Sequence, residues 1–377
     1  MKKRILFITG TRADYGKIKP ILKLIINDLD YEIKIFVSGM HTDVKYGETY
    51  IAILRDFPEN TEVFFNNTKG FDSSSCCAEM IHGINRYLKN NRVDLVVVHG
   101  DRVEALAASI SSRLNNVLVA HLEGGEKSGT IDESIRHAIS KFANYHFVCN
   151  EAAFKTLALM GEDRKTIFNI GSADMDFIIK GNIPPIEETF NKYDIEFSNY
   201  GIILFHPVTT DVKGTIQYCE IMIEAIIDSG KNFIIIDPNN DLGSDEIRNL
   251  YSKSLNDLSR FKRFPSVDFE HFISLLRRSS LLIGNSSAGI RESPYLKVSS
   301  INLGTRQDGR LDFCHPSIYN YHYLDELSLK DLIINSWNKR NYPSFSAFGS
   351  GNTAIKFKSI IDDKNFWEIK LQKKLSY

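Results

Sequence analysis

Short, nearly unbroken apolar runs recur along this chain, each stopped by a loop signal: RILFITG at 4–10, YEIKIFVSG at 31–39, DLVVVHGD at 94–101 and VLVAHLEGG at 117–125, then YHFVCN near 145 and IFNIGS near 167. A sheet wet on one face would alternate apolar with polar residues. Unbroken runs belong to parallel strands covered on both faces. Between the first two runs, Ile18, Ile21, Leu22 and Ile25 keep the i, i+3, i+4, i+7 spacing of a helix packed on such a sheet. Repeated βαβ units with right-handed crossovers give a doubly wound α/β sheet.

From about 173 to 200 the pattern lapses into GNIPPIEETFNKYDIEFSNY, whose proline pair suits a connection between domains. It restarts with GIILFHPV (201–208), KNFIIIDPNN (231–240), SLLIGNSS (280–287) and VSSINLG (298–304). A chain of 377 residues also exceeds the length at which single cores stop growing, about 250–300. The expected organisation is a Rossmann-like domain over 1–175, a second over 196–355, and a tail over 356–377 that docks back on the first. Ligands of such sheets sit beyond the carboxyl ends of the strands. Those ends carry this sequence's unusual residues: GTRADYGK, HGDR, HLEGGE, FHPVTT, DPNND, GNSSAG and GTRQ. Two facing crevices would make one interdomain cleft.

With 46 basic and 47 acidic residues, net charge −1, the chain has no overall field to attract nucleic acid or an anionic membrane. Any anion site must be local. Five cysteines without C-x-x-C spacing speak against a disulfide framework and a zinc site, and point to a reducing cytoplasm. The apolar run of MKKRILFITG is too short for a signal peptide or a membrane span.

GTRADYGK is not a dinucleotide fingerprint, and no phosphate loop of the G-x-x-x-x-G-K-[ST] type occurs. Arg12 and Lys17 flank a helix start, where backbone N–H groups favour an anion; ordinary surface cations are the other reading. GNSSAGIRE (284–292) is more specific. Glycine permits close backbone approach, Ser286 and Ser287 offer hydroxyls, and successive N–H groups open the next helix, which together can hold a diphosphate without metal. A serine N-cap would account for one of the two serines. Glu292 could accept ribose hydroxyls, or be a solvated first-turn acid.

HLEGGEKSGTIDESIRH (121–137) gathers Glu123, Glu126, Asp132 and Glu133 beside Arg136 and His137. Thr130 and Glu133 fit a T-x-x-E capping box, with Ile131, Ile135, Ala138, Ile139 and Phe142 as the buried stripe. Asp132 and Arg136, four apart, then fall on an exposed face, and the helix N-terminus keeps Asp132 ionised and able to accept a proton. Glu123 and Asp101 end buried strands, where an acid needs a partner or a purpose. His206 stands at the equivalent edge of the second domain, as a structural residue or a site residue. Neither H-E-x-x-H nor G-x-S-x-G occurs, so no metal or serine-hydrolase chemistry is expected.

TGTRADYGKIKP, VSGMHTDVKYGETY, HGDRVEALA, HLEGGEKSGTIDESIRHAISK, FHPVTTD, GNSSAGIRE and NLGTRQ, in order from residue 9 to residue 307, together resemble the hydrolysing UDP-N-acetylglucosamine 2-epimerases that make N-acetylmannosamine for sialic acid synthesis. Singly each motif is weak; the ordered set is specific. The resemblance implies a GT-B arrangement of two Rossmann-like domains. UDP would rest mainly on the second, with Ser286 and Ser287 at the diphosphate, Glu292 at the ribose and Arg306 near the phosphates. Arg12 and Arg102 would reach across from the first. Lys17, Arg136 and Asn239 complete the expected substrate-binding set. The family's catalytic carboxylates fall on Asp101, Glu123 and Asp132, with His206 as their partner. Residues 308–377 match less clearly and carry nothing over.

The implied reaction inverts C2 of an N-acetylhexosamine. Departure of UDP from C1 drains the charge left by proton removal at C2, giving a 2-acetamidoglucal; hydration then returns a proton to the opposite face. Two acid/base groups with separated pKa values are required. Asp132, ionised by its helix, suits the base and Glu123 the acid. Neither NAD nor a metal is needed, because the diphosphate can be stabilised by preorganised charges. Expected partners are the UDP-sugar substrate, the UDP product and other copies of the chain in a homodimer or homotetramer. A relative acting on a 2,4-diacetamido-6-deoxyhexose, a GT-B glycosyltransferase and a non-catalytic nucleotide-sugar sensor stay open.

Overall fold

The structure is a computed structural model that describes residues 2–44, 47–66, 73–181, 183–239, 241–255, 259–311, 313–325, 327–374 and 376. Lys45 and Tyr46 of VSGMHTDVKYGETY, Asn240 of DPNND, and Leu375 and Tyr377 of the tail lie outside them. The chain divides into two compact units. The first comprises Met1–Glu126, Asp132–Gly181 and Ala347–Tyr377; the second comprises Lys127–Ile131 and Asn182–Ser346.

In the first unit, strands β1 (Lys3–Thr9), β2 (Tyr31–Val37), β3 (Thr61–Val63), β4 (Leu95–His99), β5 (Leu118–Leu122), β6 (Tyr145–Val148) and β7 (Ile167–Asn169) form one sheet. Its order is β3-β2-β1-β4-β5-β6-β7, every pairing parallel. Helices α1 (Arg12–Ile25), α2 (Tyr50–Asp56), α3 (Ser73–Asn90), α4 (Val103–Leu114), α5 (Ile131–Phe142) and α6 (Glu151–Leu159) lie between the strands in sequence, and α7 (Ala173–Lys180) follows β7. The continuous apolar runs are strands because both faces are covered: in β1, Ile5 and Phe7 belong to one core cluster, Leu6 and Ile8 to the other. Ile18, Ile21, Leu22 and Ile25 of α1 are buried as their spacing requires. Each such side chain contributes about 1.5–3 kcal/mol by its burial.

The second unit opens with α8 (Ile186–Tyr193). It continues through β8 (Tyr200–Leu204), α9 (Val212–Asp228), β9 (Asn232–Ile236), α10 (Ser244–Leu255), β10 (Phe261–Phe264), α11 (Phe269–Arg278) and β11 (Leu281–Gly284). It ends with α12 (Glu292–Tyr295), β12 (Ser299–Leu303), β13 (Ile318–Tyr321) and α13 (Leu329–Ser336). This six-stranded sheet runs β10-β9-β8-β11-β12-β13, again parallel throughout. Both units are therefore doubly wound α/β sheets of the Rossmann kind.

The stretch read as a plain connection holds helices α7 and α8. Pro185 sits at the N-cap of α8, where its missing N–H costs nothing, so the proline pair starts a helix instead of only breaking one. The chain rejoins the first unit at Ala347, and α14 (Thr353–Ile361) packs there. The Asp176 carboxylate of α7 accepts the backbone N–H groups of Thr353 and Ala354, both at 2.8 Å, and so satisfies the start of α14. Phe357 meets Phe147 at 4.8 Å between ring centroids, and Phe366 stacks on Tyr145 at 3.9 Å.

Candidate active site

In the first sheet β1 and β4 are neighbours although two strands separate them in sequence, so the strand order reverses between them. Beyond the carboxyl ends at such a reversal is where doubly wound sheets bind ligands. Glu123 follows β5 with φ of 61°, a left-handed conformation that costs a non-glycine residue about 1 kcal/mol and marks a position held by its surroundings. Its carboxylate is buried. Lys17 Nζ lies 3.0 Å from Glu123 Oε2, His99 Nε2 3.4 Å from the same oxygen, and the Ser172 hydroxyl donates to Oε1. Lys17 also lies 3.5 Å from buried Asp174. Lys17 thus faces a carboxylate cluster from the second turn of α1, away from that helix's start. No local sequence pattern points to His99 or Ser172 beyond their placement near strand ends. Both end or follow a strand, in VVVHGD and NIGSAD, the one signal that could have found them.

Arg136 corrects the reading of α5. It is buried at 4% exposure, not on an outer face with Asp132. Its guanidinium bonds the Asp101 carboxylate and, at 3.2 Å, the Glu126 carbonyl. Burial works against its charge, but Asp101, Glu126, Glu123 and Asp132 hold it above the ordinary arginine value. This explains most of the density of acids in HLEGGEKSGTIDESIRH: Glu123, Glu126 and Asp132 act on one buried cation. Asp101, Glu123 and Asp132 are thereby within electrostatic reach of a common centre, whereas Glu133 pairs with His137 one turn on, at 3.6 Å. Ile131 departs from the expected buried stripe. It is the first residue of α5 and 50% exposed, because the packed face begins only a turn later.

At the start of α1, Thr11 and Asp14 form a capping box: the Thr11 hydroxyl accepts the Asp14 N–H at 3.3 Å, and the Asp14 carboxylate accepts the Thr11 N–H at 3.0 Å. Half-buried Arg12 is the first residue of that helix. Arg102 is the N-cap residue of α4, with Nε 3.5 Å from Glu104.

In the second unit the strand order reverses between β8 and β11; His206 follows β8, Ser286 and Ser287 follow β11, Asn239 follows β9 and Arg306 follows β12. Asn285 ties the two strand ends together. Its side chain accepts the His206 N–H at 2.7 Å and donates to the His206 carbonyl at 2.8 Å, while its own carbonyl accepts from Arg306 Nη1 at 3.1 Å and Gln307 Nε2 at 2.8 Å. His206 Nδ1 accepts the Asn239 N–H at 3.1 Å, which leaves the proton of the neutral ring on Nε2. Burial, with the Arg306 charge, pushes the imidazole down to about 3. The Asn239 side chain is engaged by Asp241.

Ser286 is the N-cap of a 3-10 turn, its hydroxyl accepting the Ala288 N–H at 3.3 Å, so the capping reading holds for this serine. The helix expected after GNSSAG is short: a 3-10 turn over Ser287–Gly289, then the four residues of α12 with buried Glu292 first. Pro294, its third residue, restricts the backbone before it, and Lys297 in the left-handed region (φ 55°) follows its end. Among the described residues, Glu123, Glu126 and Cys149 could offer a metal three ligand atoms within 4.8 Å of one another. The Lys17 ammonium already supplies positive charge at Glu123.

Two doubly wound parallel units, each with its polar residues beyond the strand ends at the order reversal, define a protein of the GT-B class. A profile of the UDP-N-acetylglucosamine 2-epimerase family matches residues 25–362, and the chain belongs to that family of enzymes. It is 40% identical over 375 residues to a UDP-N-acetylglucosamine 2-epimerase of Neisseria meningitidis serogroup B, covering 99% of this chain and 98% of that one. It is 33% identical to a hydrolyzing UDP-N,N'-diacetylbacillosamine 2-epimerase of Legionella pneumophila, covering 82% and 83%. The fold matches the crystal structure of a Methanocaldococcus jannaschii UDP-GlcNAc 2-epimerase in complex with UDP-GlcNAc and UDP, with TM-score 0.78 at 20% identity over 95% of this chain and 99% of that one.

Proposed function

We propose that the protein hydrolyses UDP-N-acetylglucosamine to UDP and N-acetylmannosamine, the amino sugar from which sialic acid is built. The observation that carries this reading is the grouping of Asp101, Glu123 and Asp132 around buried Arg136. A glycosyltransferase needs a leaving-group site and one base; a C2 inversion needs proton transfer on both faces of the ring. In the first half, a carboxylate takes the C2 proton as the C1–O bond to UDP breaks, leaving the 2-acetamidoglucal. In the second, water adds at C1 and a second group returns a proton to the other face of C2. Asp132, in the first turn of α5, is suited to the base and Glu123 to the acid. Arg12 and Arg102 from the first unit, with Arg306, Ser286 and Ser287 from the second, stabilise the departing diphosphate. Glu292 meets the ribose, and neutral His206 can donate from Nε2. No hydride moves, so the scheme calls for no nicotinamide.

The five free cysteines suit a reducing cytoplasm, and no described helix is long and apolar enough to cross a membrane. A second reading, hydrolysis of a UDP-2,4-diacetamido-6-deoxyhexose, is favoured by the likeness to the Legionella pneumophila enzyme. Incubation of each sugar nucleotide in deuterated water, followed by NMR, tests both. The expected products are UDP and free N-acetylmannosamine carrying deuterium at C2. Hydrogen retained at C2, or UDP still attached to the epimerised sugar, overturns the hydrolysing elimination. Turnover of the diacetamido sugar alone moves the assignment to the second reading.

A further inference from the structure

Glu104 is a buried carboxylate that the reaction scheme does not use. It lies in the first turn of α4, 1% exposed, and among the described residues neither of its oxygens has a hydrogen-bond partner. Its charged neighbour is Arg102, whose Nε lies 3.5 Å from Oε2 without forming a hydrogen bond. Two backbones have given up side chains to seat it. A Cβ on Gly10, just past β1, would come 2.7 Å from the Glu104 Cδ, and one on Gly39, just past β2, 2.3 Å from Oε1. A helix N-terminus favours an acid, but an exposed acid there gains as much. A carboxylate enclosed without hydrogen bonds is a net cost to folding. Glutamine would fill the same seat without the charge.

We propose that Glu104 is a positioning residue for Arg102: seated between Gly10 and Gly39, its carboxylate holds the guanidinium in the orientation that meets the departing diphosphate, at the expense of stability. This rests on the epimerase reading above. The carboxylate touches no reacting atom. It acts by fixing, before substrate arrives, the direction of a long, flexible cation. It stands beyond β1 and β4, at the order reversal where the first unit presents Asp101 and Arg102.

A positioning role and a supporting role predict opposite changes in melting temperature. Glu104→Gln is expected to melt about 2–4 °C above wild type and to lose about 10- to 100-fold in kcat/KM for UDP-N-acetylglucosamine. Arg102→Ala should lose at least as much, and the double variant no more than Arg102→Ala alone, because the first change acts through the second residue. The same non-additivity should appear in UDP affinity by calorimetry. Glu104→Gln that melts lower than wild type or does not fold makes the carboxylate a structural support and overturns the proposal. Additive losses in the double variant overturn it equally. A wild-type protein inert toward UDP-sugars removes the epimerase reading alone; the sign of the melting shift and the UDP-affinity cycle then decide whether Glu104 works through Arg102.

Discussion

Lys17 Nζ stands 3.0 Å from Glu123 Oε2 and 3.5 Å from Asp174 Oδ2, so one ammonium serves two buried carboxylates. Replacing it by an apolar group of similar length leaves that negative charge in a dry setting. Lys17→Met should lower the unfolding free energy by about 3 kcal/mol. Adding Glu123→Gln should recover part of that loss, since the second change removes one charge the first exposed. Urea unfolding of the two variants checks both statements. Equal destabilisation by the single and the double variant would show that Lys17 does not answer Glu123.

Asp101→Asn, Glu123→Gln and Asp132→Asn keep shape and most hydrogen bonding but abolish proton transfer, an effect of about 10²–10⁴-fold in rate. UDP affinity should hardly change, because the proposed nucleotide contacts are mostly in the second unit. Glu133→Gln should turn over near the wild-type rate: the residue pairs with His137, at 3.6 Å, and a partly exposed pair is worth little. A Glu133→Gln protein that is folded and as inactive as Asp132→Asn would place the catalytic acid one residue on.

What was legible in the sequence followed from burial on both faces. Runs such as LVVVH of β4 and NFIII of β9 have only one stable home, the middle of a parallel sheet. The strands that no apolar run marks, β3 (TEV), β10 (FKRF) and β13 (IYNY), are sheet edges of three or four residues, too short and too polar to show a period. The site divides the same way. Positions at strand ends could be read, because the fold sends them to the ligand side. Arg136 could not: its helix spacing puts it outside, and its main ion-pair partner, Asp101, lies 35 residues earlier on another strand's end. Ser172 and His99 are likewise brought to Glu123 by sheet order, which no local pattern encodes.

Protonation of His121 and His206 contributes to the acid limb of stability. His121 is fully buried, its Nε2 donating to the Gly100 carbonyl at 2.7 Å, with the Ser140 hydroxyl 3.0 Å from Nδ1; burial pushes it down to about 3, as it does His206. Both native values lie below the unfolded value of about 6.5. The unfolded chain therefore binds protons that the native state refuses. Stability is full above about pH 6.5 and is lost as pH falls toward 3, by at most about 1.4 kcal/mol per pH unit for each ring, less for half-buried His206. Denaturant midpoints between pH 7 and pH 5 measure the slope, and His121→Asn should flatten it. An unchanged midpoint down to pH 5 in the wild type would mean the rings titrate normally.

Ser286 can be asked separately about its two roles. Its hydroxyl caps the turn at Ala288, and the proposed function also places it on the diphosphate. Alanine removes both at once, so Ser286→Ala should cost about 1 kcal/mol of stability together with UDP affinity. Aspartate keeps the cap, since a carboxylate oxygen accepts the same N–H, but sets a negative charge where the diphosphate would lie. Ser286→Asp should therefore melt close to wild type while UDP affinity falls by at least about tenfold, the equivalent of one charge-assisted contact made repulsive. Raised salt should recover part of that loss, because screening weakens repulsion between charges that water can reach. Calorimetry of UDP binding at two salt concentrations, beside a melting curve, separates the roles. If Ser286→Asp binds UDP as the wild type does, the diphosphate does not meet this serine, and the GNSSAG turn is a cap alone.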